Sequence, residues 1–364
     1  MGEANFLGST FNEWVDFINS TFNGVVNFSH STFNERVSFS GSTFNEWVSF
    51  SGSTFNEWVN FINSTFNGQV YFSGSTFNEW INFFNSTFKE AYFLENTFNK
   101  EADFSNTTFN HVKIYNSKFK MWVSFFNSTF NGEAEFSNTT FNKKADFGKC
   151  NFENTKFKSC TFEKDVDFKG STHKNTIFEK NTFKDIAYFR NISYSKISFL
   201  DCTFKDLAIF SKKNKDNNSN NNDKDNNSNN NDKDNNNDND KDNNNDNNDD
   251  WAIFYNTQFL NKNSKITGFN LENTSFLMTD VKEIMVMCKI ENKPILDDTL
   301  HLKYKDKDYN EVEKELGRGN KIFKEYVEHL KFPRQIIAEY RNLRKSIEEN
   351  RTYEEASILH ILEM

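Results

Sequence analysis

The stretch STFNEWVDFIN STFNGVVNFSH STFNERVSFSG (residues 9–41) repeats every eleven residues, yet Phe11, Phe17, Phe22, Phe28, Phe33 and Phe39 fall alternately six and five apart. Neither a helical period nor the alternation of a simple strand yields such spacings; a chain that turns a corner every five or six residues does. Followed from Phe6 to Phe210, the aromatic slot recurs 39 times and holds Phe except at Ile114, His173 and Tyr194. Six-residue intervals begin at Phe11, Phe33, Phe55, Phe77, Phe98, Phe119, Phe141, Phe162, Phe183 and Phe204, each four slots after the last. A second set, from Phe22, Phe44, Phe66 and Phe130, lies two slots out of phase, and over most of the second half its steps shrink to five. Four slots therefore close one turn. The spacing predicts an all-β solenoid with four sides and roughly nine to ten coils, a rod about 45 Å long at strand-like stacking of ~4.8 Å.

The residue two before each slot completes the interior. On the side that follows the long step it is Val15, Val37, Val59, Ile81, Ala102, Val123, Ala145, Val166, Ala187 and Ala208, apolar every time, whereas slots preceded by "ST" carry Ser or its equivalents. One large and one small inward residue per side fill a narrow square lumen, while Thr21, Asn27 and Thr32 face water. Units such as "STFNE", "VDFIN" and "STFNG" resemble the pentapeptide-repeat proteins, whose small–polar–large–x–x units wind into a right-handed quadrilateral β-helix. The resemblance covers residues 4–210 and, weakly, 251–281, in a Phe-rich variant with an extra residue on the long side.

The chain has 364 residues, 44 Phe, only 2 Pro and a net charge of −9. That much apolar surface excludes general disorder. The first 88 residues carry seven acids against Arg36, and residues 89–210 sum to +3, so a basic nucleic-acid binder is disfavoured. Residues 211–250 hold eleven Asp, six Lys and near-copies of "NNSNNNDKD"; this low-complexity tract is expected to be a disordered insertion. The frame resumes at "WAIFYNTQF" (251–259), with Ile266, Leu271 and Phe276 as further slots, and residues 251–281 form the last coils. Residues 282–332 read as a linker with helix. Residues 333–364 read as a helical hairpin with Ile336, Tyr340, Leu343 and Ile347 at helical spacing, resembling the hairpin of longer membrane-associated members. No apolar run approaches the ~20 residues of a membrane helix, and "MGEANFLGST" has neither a secretory nor a myristoylation pattern, so the expected location is cytoplasmic. Membrane association remains an option if the chain continues beyond Met364.

Few residues invite a chemical role. His173 occupies a large slot in "GSTHKNT" without a ligand-like neighbour, and reads as a substitution tolerated where packing is looser. Cys150, Cys160 and Cys202 sit at the small inward position and read as core; Cys288 has no evident partner. The segment 238–249 spaces acids like a calcium loop but lacks the turn Gly and final Glu, so no metal or other cofactor is expected. No catalytic motif is present and no enzymatic activity is expected. Trp14, Arg36, Trp58 and Trp80 recur once per coil, predicting an outward aromatic–cation ladder and a possible partner surface, with Trp47 on the opposite side, flanked by Gly24 and Gly68 in adjacent coils. These features predict a non-catalytic scaffold for protein–protein interaction or self-association, with the C-terminal helices as a further route to a membrane protein. The resemblance also implies an alternative, an acidic DNA mimic that regulates a topoisomerase such as gyrase, and a lesser one, a soluble module of a membrane-associated protein. No direct nucleic-acid binding is expected.

Overall fold

A computed structural model describes residues 2–213, 250–270, 273–281 and 284–289, together with residues 328, 329, 336, 337, 341 and 343–345. The tract 214–249, the side chain of Cys288 and most of the expected hairpin lie outside the described residues. Among the described residues, thirty-eight short strands, in sheets of 27 and 11, pair only in parallel with the coil above and below. We name the sides by their first-coil strands: side 1 from Thr10–Phe11, side 2 from Val15–Asp16, side 3 from Thr21–Phe22 and side 4 from Val26–Asn27.

Side 4 runs in register through Ala4, Val26, Val48, Val70, Ala91, Val112, Ala134, Thr155, Thr176, Ile197, Ala252 and Thr274, which makes twelve rungs. The rod thus has about twelve turns, more than the count over residues 4–210 indicates, and spans about 53 Å at the usual strand spacing. The excess comes after the tract. Trp251–Tyr255 pairs with Lys196–Leu200, and Lys265–Asn270 pairs with Ala208–Lys212. Met285–Lys289 then adds a rung inside the stretch that reads as linker, with Ile284 and Val286 buried. The Phe slots that make the frame legible are gone there, so only pairing reveals it.

The tract leaves and re-enters at one corner, since Lys213 N–H donates to Ile192 O at 2.8 Å and Trp251 N–H to Ser195 O at 2.7 Å. Among the described residues side 3 has no rung at that level, and Tyr194 stacks instead on Phe269, at 5.4 Å. Phe269 rather than Leu271 is therefore the large residue that continues the core; Leu271 lies outside the described residues.

Turn chemistry explains why two of the four steps never exceed five residues. After sides 2 and 4 the second residue past the Phe takes a left-handed conformation, for example Asn19 (φ 55), His30 (φ 56) and Asn63 (φ 58). Ser20 N–H closes that turn on Phe17 O at 3.1 Å. This is the position of a tight turn that Asn and Gly tolerate best. Gly41 (φ 67) takes it between Asn19 and Asn63, and a Cβ there would lie 2.2 Å from Asn19 Oδ1.

Inside, each Phe stacks on its counterpart one coil away, as in Phe39–Phe61 at 4.8 Å and 4°. Across the lumen the side 2 and side 4 columns meet edge to face, as in Phe39–Phe50 at 5.4 Å and 75°. The buried Ser of each "STF" unit forms a second rail. Ser53 Oγ donates to Phe28 O at 2.7 Å and accepts Ser31 N–H at 3.1 Å. Outside, Asn12, Asn34, Asn56, Asn78 and Asn99 link side chain to side chain over 2.6–3.0 Å.

The eight described residues beyond 289 are helical. Ile336 and Leu343 belong to the hydrophobic core, and His329 Nδ1 hydrogen-bonds the Tyr255 hydroxyl at 2.8 Å. The apolar stripe of this region is thus partly spent on the rod itself.

Ser53→Ala should destabilise the rod by about 1–3 kcal/mol, because it strands a buried amide, whereas Ser53→Cys should cost less. Urea unfolding compared with wild type measures this; equal losses for the two variants would refute the rail.

Candidate functional site: an aromatic face and a polar groove

The register Val15–Val37–Val59–Ile81 places Trp14, Arg36, Trp58 and Trp80 on four consecutive rungs of side 2. Arg36 Cζ lies 5.9 Å from the Trp58 ring centre, and Trp58 stacks on Trp80 at 5.7 Å and 6°. Trp14 extends the row and is 65% exposed. The row continues through Glu101 to Trp122, which is also exposed. Trp122 was legible in the sequence, one residue before Val123, but one intervening Glu hides it from a ladder counted rung by rung.

A second column, four residues further along side 2, exposes Ile18, Phe84 and Phe126. Between the two columns, Asp16, Asn60 and Asn82 turn their Oδ1 atoms back to the backbone N–H two residues on, at 2.7–2.9 Å. The central polar row is committed to the fold, which leaves the two flanking apolar columns to meet whatever docks. Trp47 stands apart on side 4 at 39% exposure. Its neighbours in the stack are Val25 and Gln69, since Val26, Val48 and Val70 pair in register. Gly68 lies against the Glu46 backbone instead.

A feature absent from the sequence reading lies where the second set of six-residue steps shrinks to five. There sides 3 and 4 fuse into single strands such as Thr87–Leu94, Asn151–Lys158 and Thr172–Glu179. Two adjoining depressions of about 620 and 230 Å³ follow these rungs and share His111 and Glu133. Glu90, Tyr92 and Lys113 complete the smaller one; Glu135, Asn154 and Lys156 line the larger. The Glu90 carboxyl is held below its usual range chiefly by the Gln69 amide, while burial pushes the Tyr92 phenol up. The groove offers closely spaced donors and acceptors to a polar ligand. Among the described residues no cluster of three or more His, Cys, Asp or Glu could hold a metal ion.

His173 is fully buried, stacked on Phe152 at 5.1 Å and bonded through Nε2 to Ser171 Oγ at 2.8 Å. It continues the ring column from Phe152 at a 20° tilt, where a neighbouring Phe pair such as Phe157–Phe178 lies within 4°. Cys150, Cys160 and Cys202 occupy the Ser rail, their Sγ atoms donating to Phe125, Phe136 and Phe178 carbonyls at 2.8, 3.3 and 3.3 Å. Burial pushes the Cys160 and Cys202 thiols up to about 12, so neither is a nucleophile in the folded rod.

A family model described as "Pentapeptide repeats (9 copies)" matches residues 17–64 and 125–172. Those two stretches of the solenoid match pentapeptide repeats, with Phe in the large slot. An uncharacterized protein of Methanocaldococcus jannaschii is 44% identical over 119 residues, which cover 31% of this chain and 25% of that protein. The chain thus matches about a quarter of that relative's length. No solved structure matches the chain. No helix among the described residues is long and apolar enough to cross a membrane.

Burial pushes the His173 imidazole down to about 3. Its folded value lies below the unfolded one of about 6.5, so its neutral form contributes fully above that pH and the contribution is lost as pH falls toward 3. His173→Phe should flatten the stability profile across that window by up to about 1.4 kcal/mol per pH unit. Urea midpoints measured from pH 3 to 7 check this; parallel profiles for the two proteins would count against a buried neutral histidine.

Proposed function

We propose that this protein is a non-catalytic rod that presents side 2 as a docking surface for a protein partner. The observation that carries this reading is the alignment of Trp14, Trp80 and Trp122 with Ile18, Phe84 and Phe126, six exposed large apolar side chains on one flat side. Trp and Arg are enriched at interface centres because each offers a large, stiff contact area. Strand pairing holds the side chains of this side at a fixed spacing, so a partner meets a surface that needs little further ordering.

Charge supports a scaffold over a DNA mimic. In the second half of the rod, acids pair with lysines one coil away, as in Lys164–Asp185 at 3.1 Å, Lys184–Glu163 at 2.7 Å and Lys156–Glu179 at 2.7 Å. A duplex mimic needs an unbroken negative stripe, and these pairs interrupt one.

The test is photo-crosslinking in the native cell from positions 14, 80 and 122, each carrying a crosslinking residue. A defined partner captured from all three, and lost on Ile18→Asp/Phe84→Asp with the melting temperature preserved, supports the reading. Capture equally strong from an outward position on side 1, such as Thr76, would sink it.

A further inference from the structure

His173, Thr155 and Thr176 put polar atoms into inward slots on two adjoining rungs of one corner, with Tyr194 next after His173 in the large-slot column. In the large slot of side 3, His173 follows Phe152; in the small slot of side 4, Thr155 is followed by Thr176. The side 4 column is otherwise Val or Ala from Val26 to Ala134, and returns to Ile197 and Ala252 on the next two rungs. His173, Thr155 and Thr176 are at most 2% exposed. His173 Nδ1, Thr155 Oγ1 and Thr176 Oγ1 find no hydrogen-bond partner in the protein. A buried polar atom left so costs about 1–3 kcal/mol, and native interiors hold few of them. Three on neighbouring rungs point to one shared partner.

The protons identify that partner. Ser171 Oγ donates to Phe168 O at 2.6 Å, unlike Ser53 or Ser64, whose hydroxyls reach a carbonyl one coil away. With that proton on Phe168 O, the 2.8 Å contact is made by His173 Nε2–H donating to Ser171 Oγ. His173 Nδ1 then presents a bare lone pair toward the interior, and each threonine presents one proton and free lone pairs. A cation lacks a carboxylate here, an anion would face the Nδ1 lone pair, and an apolar guest would leave all three atoms unpaired. A water molecule donates to Nδ1 and accepts from a threonine hydroxyl, and two to four polar partners are what a buried water takes. We propose that Thr155, His173 and Thr176 form an internal binding site for a single water molecule, sealed between two coils and shared by both rungs.

A high-resolution crystal structure of the full chain at neutral pH tests this directly. A peak within hydrogen-bond distance of Nδ1 and at least one of the two Oγ1 atoms is expected; ordered side chains with no such peak overturn the site. In solution, 15N spectra should show His173 as the Nε2–H tautomer, and an Nδ1–H tautomer would overturn it. The triple variant Thr155→Val/His173→Phe/Thr176→Val removes all three unpartnered atoms, so it should fold and melt no lower than wild type. It should also lose the long-lived component in water-oxygen relaxation dispersion that this site contributes. An unchanged dispersion amplitude in the folded variant refutes the shared water.

Discussion

Two repeat distances coincide in this rod, and the remaining features depend on that match. Parallel strands bonded through their backbones stack about 4.7–4.9 Å apart. Flat rings stack at nearly the same separation, as Phe39–Phe61 does at 4.8 Å and Phe98–Phe119 at 4.4 Å. A ring can therefore occupy the same slot in every coil and touch both neighbours without disturbing the ladder. The two opposed columns meet edge to face, so each ring also fills the lumen across from it. His173 continues the column from Phe152 because it too is flat.

The polar rail answers a problem that the rings cannot. A coil with four corners turns backbone groups inward at each bend, where water does not reach them. The small slot of the "STF" units supplies a hydroxyl that both donates and accepts, and Thr107, Thr139, Asn181 and the three cysteines take its place without breaking the rail. With the inward positions committed to rings and rail, and the corners to left-handed turn residues, the outward positions are the ones left to vary. They do vary: side 2 collects aromatic residues, the later coils collect lysine–carboxylate pairs, and the fused rungs of sides 3 and 4 collect the charged groove.

Most of the architecture was legible in the spacing of Phe, because a side chain that must point inward on every side marks each side once. Past Asp250 the signal weakens. Ile266 sits in a Phe slot, Phe269 stacks on Tyr194 across the interrupted level, and Met285–Lys289 has no Phe at all. Those rungs are recognised by pairing, which a single sequence does not display. The aromatic row was legible from Trp14 to Trp80 and missed at Trp122. The groove was visible only as a shortened step, and nothing in that count says that Glu90, His111 and Glu133 would border one depression.

The sequence by itself determined the solenoid, its four sides, and which residue of each unit faces the lumen. Those follow from a local rule applied every five or six residues, with no reference to distant parts of the chain. Tertiary structure decided the rest: the added rung at Met285–Lys289, the corner where the tract departs, the neighbours of each outward side chain, and the polar corner around His173. Each of these depends on what lies one coil away, about twenty-one residues distant along the chain and one strand spacing away in space.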